Sequence, residues 1–89
     1  MAWKIEYTAT ALGQLRRLDR QISERISDYM ERRIASLADP RIAGKPLTGH
    51  LGEYWRYRVG DYRVICSIHD NELRIVVVRL GHRREVYRQ

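Results

Sequence analysis

The chain has 89 residues, 44% hydrophobic and 31% charged, with a formal net charge of +6. That length suits one small domain, residues 1–89, which would bury about 60–65% of its unfolded surface and be marginal but able to fold alone. No apolar run approaches a membrane span of roughly 18 residues and no secretory leader is legible, so the expectation is a cytoplasmic protein without a membrane role.

In chain order, residues 2–7 alternate Trp3, Ile5 and Tyr7 with Lys4 and Glu6, the period of a half-buried strand. Thr8 is an N-cap for a short helix ending near Asp19, with Leu12, Leu15 and Leu18 as its apolar stripe. A longer helix runs from about Ile22 to Leu37. Ile22, Ile26, Tyr29, Met30, Ile34 and Leu37 form its buried face, and pairs such as Asp28–Arg32 its solvated one. Asp39-Pro40 stops it, because the residue before proline is pushed out of helical geometry.

Arg41 to Gly52 reads as a glycine-rich loop. Strands follow at about 54–59, 62–69 and 73–80, joined at Gly60-Asp61 and Asp70-Asn71. Ile75 to Val78 is continuously apolar, as in a central strand, and Gly81 ends the last strand before the tail HRREVYRQ. The order is βααβββ: an α+β, two-layer fold with a small antiparallel sheet and both N-terminal helices on one face. The other face is left to bear arginines.

Of the 17 basic residues only Lys4 and Lys45 are lysines, leaving 15 arginines. Arginine's planar, permanently charged fork matches phosphate oxygens in pairs, and a sequence pI of about 10.0 points to nucleic acid or an acidic protein as partner. Arg56 and Arg58, two apart on one strand, project from the same face. Arg63 follows a turn, and Arg83 stands four residues before Tyr87. Guanidiniums beside a phenol suit a phosphate that is gripped and cut. Arg79 reads equally well as a structural ion-pair partner, and Arg74 and Arg84 as surface. Cys66 is alone in the apolar run VICSI, so it reads as core and is compatible with a reducing compartment. His50 and His69 have no metal-ligand spacing.

The segments DPRIAGKPLTG, YWRYRVGDYRVICSI and VVRLGHRREVYR, in this order and spacing, resemble the RelE-like toxins of the RelE/ParE toxin–antitoxin superfamily. The resemblance implies a compact ribonuclease-like fold and metal-independent cleavage of messenger RNA in the ribosomal A site, with no cofactor. In that chemistry the RNA's own 2′-OH attacks the adjacent phosphorus. Carried over by motif, the family's paired basic positions fall on Arg56 and Arg58, its strand arginine on Arg63, its post-strand arginine on Arg83 and its terminal tyrosine on Tyr87. Several relatives carry lysines where Arg56 and Arg58 stand. An arginine cannot give up its proton, so the general-base role moves to Tyr87 or to His82, histidine being suited to such work near neutrality. The implied partners are a cognate antitoxin, the ribosome with its mRNA, and, in complex with the antitoxin, operator DNA.

Two rival readings compete with this one. One is a ParE-like toxin that poisons DNA gyrase without nuclease activity, a branch that generally lacks the full arginine set and terminal tyrosine. The other is a basic binding module with no chemistry.

Overall fold

The computed structural model describes residues 2–47 and 53–87. Five strands form one sheet: β1 (Lys4–Tyr7), β2 (Lys45–Pro46), β3 (Trp55–Val59), β4 (Tyr62–His69) and β5 (Arg74–His82), in the spatial order β1-β5-β4-β3-β2. Helices α1 (Ala9–Arg17) and α2 (Arg20–Asp28) intervene after β1. The helices carry the chain from one sheet edge to the other, and β2 to β5 return as an antiparallel meander.

That route makes the sheet mixed rather than wholly antiparallel. β1 lies parallel to β5, with Ile5 opposite Ile75 and Tyr7 opposite Val77. The stretch read as loop also contributes β2, whose Lys45 pairs with Arg56 and Pro46 with Trp55. Its remainder, residues 48–52 with His50 among them, lies outside the described residues.

The sequence's capping logic operates at both helices. Thr8 Oγ1 accepts from Ala11 N at 3.1 Å and donates to Val78 O at 3.2 Å, so it starts α1 and ties it to β5. Asp19 caps α2 through Gln21 N at 3.1 Å. The second helix departs from a plain α-helix: after Asp28 it widens into a π-helical stretch, Tyr29–Ile34, closed by Ala35 N on Met30 O at 2.9 Å. Met30 and Ile34, four residues apart within it, are both fully buried in the core.

One apolar cluster lies between the layers. Ala11, Leu15, Ile26, Met30 and Ile34 from the helical side meet Tyr57, Val59, Val64, Cys66, Ile75, Val77 and Leu80 from the sheet. Trp55 packs against this cluster, and its Nε1 donates to Ala43 O at 2.7 Å. Tyr57 is fully buried, its hydroxyl donating to Pro40 O at 2.7 Å. Burial pushes the Cys66 thiol pKa far up, which keeps it a thiol and fits its place in the core.

Strand alternation then fixes the opposite face. With Tyr57, Val59, Val64 and Leu80 turned inward, Arg56, Arg58, Arg63 and Arg79 must project from the uncovered side. Gly81 does not end β5; the strand continues through it to His82. The Asp70-Asn71 connection is a 3₁₀ turn over Asp70–Glu72, closed by Leu73 in the left-handed region at φ 50°.

Candidate active site

The β3–β4 register sets the first row of the site. Arg58 is directly opposite Arg63, and Arg63 is opposite Gly81 on β5. The next row on the same face is Arg56, Ile65 and Arg79. Directly opposed side chains have Cβ atoms about 4.5–5.5 Å apart, so the two rows make a compact guanidinium array.

Arg63 stands at its centre. Its Nη1 donates to Gly60 O and Tyr62 O, both at 3.1 Å, which draws the side chain toward the β3–β4 turn. Partial desolvation holds its pKa below the usual guanidinium range. Positive charge on Arg58, Arg56 and Arg83 pushes the same way, while the Tyr87 phenol opposes it. Arg58 faces Arg63 across the β3–β4 pairing, Arg56 stands in the next row, and the tail that carries Arg83 and Tyr87 passes over Gly81, the partner of Arg63 on β5. The Arg56 Nε is buried and lacks a hydrogen-bond partner among the described residues.

The tail folds back over this face. Arg83 N donates to Asp61 O at 2.8 Å, and its Nε lies 3.7 Å from Asp61 Oδ1 in a solvent-exposed pair. Val86 is 3% exposed and sits over Gly81, whose hypothetical Cβ would meet it at 3.7 Å. Arg79 Nη1 donates to Val86 O at 3.3 Å. Ile65 and Val86 are buried outside the main cluster, so they form a small apolar pad on the arginine face. Tyr87 follows directly and is 42% exposed.

His82 does not join this group. It is opposite Tyr62 in the register, and the two rings meet edge to face at 5.6 Å and 83°. With Gln14, Arg17, Leu18 and Leu80 it lines a cleft of about 350 Å³ on the helical side. Of the six residues singled out from sequence, Arg56, Arg58, Arg63, Arg83 and Tyr87 come together, and the His82 ring lies behind them.

Sequence reasoning missed three features. Lys45 is opposite Arg56 and helps line a cleft of about 190 Å³ with Tyr29, Gly44, Arg56 and Arg58; its only signal was being one of two lysines. Arg58 also borders a broader cleft of about 670 Å³ with Arg25, Arg32 and Arg33 of the second helix, so basic surface continues around the β3 edge. Arg74 is not simply surface: it bonds Glu6 at 2.8 Å and Glu72 at 2.7 Å.

This two-layer frame, with arginines on its open face, is shared with toxins of type II toxin–antitoxin systems. The chain belongs to the ParE toxin family of type II toxin–antitoxin systems, whose model matches residues 5–87, and is a RelE-like toxin of the RelE/ParE superfamily. It is 31% identical to the toxin RelE of Mycobacterium tuberculosis over 86 residues, covering 97% of this chain and 87% of that protein. Toxin RelG of the same organism is 28% identical over 89 residues, the full length of both. Among solved structures, the RelBE2 toxin–antitoxin complex of M. tuberculosis superposes with a TM-score of 0.85 at 26% identity, covering 96% of this chain and 95% of that one.

Proposed function

We propose that this toxin is a metal-independent endoribonuclease that cleaves mRNA in the ribosomal A site and so inhibits translation. The observation that carries the reading is the register that sets Arg58 opposite Arg63, with Arg56 in the next row of the same face and the tail of Arg83 and Tyr87 folded back over Gly81 beside them. Such a set matches the charge that develops on a phosphodiester under attack.

In this mechanism the substrate supplies its own nucleophile. Tyr87, as general base, takes the proton of the 2′-OH, whose oxygen attacks the adjacent phosphorus. Arg56, Arg58 and Arg63 hold the non-bridging oxygens as charge accumulates; losing one such donor typically costs about 2.7–4 kcal/mol of transition-state stabilisation. Arg83 neutralises the departing 5′-oxygen, which is protonated from solvent. The products are a 2′,3′-cyclic phosphate and a 5′-hydroxyl end.

Likeness to the RelBE2 complex supports an antitoxin chain as protein partner. An acidic segment laid over the arginine face would block it, and joint binding of operator DNA fits the same assignment. The gyrase-poisoning reading has one observation in its favour: the matching family model is that of ParE. The paired strand arginines with Arg83 and Tyr87 favour cleavage over it.

The separating experiment is Tyr87→Phe, which keeps the ring and removes the proton acceptor. Cleavage should fall by roughly 10²–10⁴-fold while RNA affinity stays near that of the unmodified protein. Undiminished toxicity in Tyr87→Phe would leave a binding module or a gyrase poison.

A further inference from the structure

We propose that His82 is a positioning residue: its imidazole Nδ1 caps the tail turn that carries Arg83 and Tyr87 into the site. The inference rests on the ribonuclease reading for its catalytic consequence but not for its structural content.

The amides of residues 83–86 all donate, and three of the four bonds go to one residue, His82. Arg83 N goes to Asp61 O at 2.8 Å. Glu85 N and Val86 N go to the His82 carbonyl at 2.8 and 2.9 Å. Arg84 N goes to the His82 ring nitrogen Nδ1 at 3.1 Å. This is the bond an N-cap makes, a side-chain acceptor on the amide two residues ahead, more usually supplied by Asn, Asp, Ser or Thr. Accepting through Nδ1 fixes the neutral tautomer with its proton on Nε2. The edge contact with Tyr62 holds the ring in that orientation.

The ring thus turns away from the arginine face yet governs it. Released from the cap, Arg84 N would turn to solvent, loosening the turn that seats Val86 on Gly81 and sets the path of Tyr87. The ring's neighbours are Arg17, Gln14 and Leu18 on the helical side, Tyr62 across the sheet, and Glu85 in the turn.

Two isosteres separate this role from acid–base chemistry. Asparagine places its oxygen where Nδ1 stands, and glutamine reaches toward Nε2. His82→Asn should keep Arg84 amide protection and most of the cleavage rate, whereas His82→Gln and His82→Ala should lose protection by about tenfold and slow cleavage in step. An Arg84 amide as protected in His82→Ala as in the unmodified protein would overturn the cap. A His82→Asn variant that keeps its protection but cleaves no better than His82→Ala would show the imidazole acting on the substrate, also overturning the proposal. If the unmodified protein cuts no message, the ribonuclease reading falls and amide exchange alone still decides the cap.

Discussion

Arg58 opposite Arg63 sets two guanidiniums side by side on neighbouring strands, and like charges in that position work against folding. The arrangement makes sense if an anion is to be bound there, since a site shaped for an absent charge is strained in the free protein. Activity and stability should therefore move in opposite directions at this position. Arg58→Gln is expected to lose roughly 10²–10³-fold in cleavage and to gain about 0.2–1 kcal/mol in unfolding free energy, read by urea titration. A loss of both would mean Arg58 is a structural residue. Arg63 is less suited to this test, because its bonds to Gly60 O and Tyr62 O also brace the β3–β4 turn.

At the level of elements, β2 and the chain entering it fix the outer margin of the site. Gly44 has φ +73°, and a Cβ there would run into the carbonyl oxygen of Arg56 and the rings of Tyr57 and Trp55. The chain must pass this close for Lys45 to pair with Arg56. Gly44→Ala should destabilise the fold by at least about 1 kcal/mol in thermal or urea unfolding, with a larger loss of activity than its distance from Tyr87 suggests. Much of this architecture was legible beforehand. Period-two alternation in YWRYRV put Arg56 and Arg58 on one face, and Thr8 marked the start of α1 through local chemistry. Asp39-Pro40 did not end the second helix, which stops at Ile34; Asp39 instead caps a 3₁₀ turn over Pro40–Ile42. What escaped notice was non-local or context-bound. The parallel pairing of β1 with β5 depends on where two helices deliver the chain, and Lys45–Pro46 is too short to show a period. Gly81 signals a break only when read without its neighbours; within β5 it lets Val86 lie over the strand. His82, beside Arg83 in sequence, was grouped with the arginines because adjacency hides the alternation that sends its side chain to the other face.

For the molecule as a whole, two ion pairs link strand ends and make stability pH-dependent. Arg74 holds the Glu6 carboxyl below its ordinary range, and Arg41, bonded twice to Asp70 at 2.9 Å, does the same there. A carboxylate depressed in the folded state stabilises it above its unfolded pKa. That contribution is lost as pH falls from about 4 through the lower folded value. Thermal unfolding should thus shift downward in acid, and Glu6→Gln should flatten that slope while lowering the neutral-pH midpoint. The net charge of +6 acts on binding instead: log affinity for single-stranded RNA should fall with log salt by about 0.7 for each phosphate held. A flat salt response would contradict the arginine face as the RNA site.

The central claim is that these guanidiniums and the Tyr87 phenol act together on one phosphodiester. Its most direct measurement is an in vitro translation reaction with the purified toxin, with mRNA ends mapped by primer extension beside Arg83→Ala and Tyr87→Phe controls. The account predicts cuts positioned at the A site, carrying 2′,3′-cyclic phosphate ends and absent from both variants. Intact messages alongside failed DNA supercoiling by gyrase would contradict it.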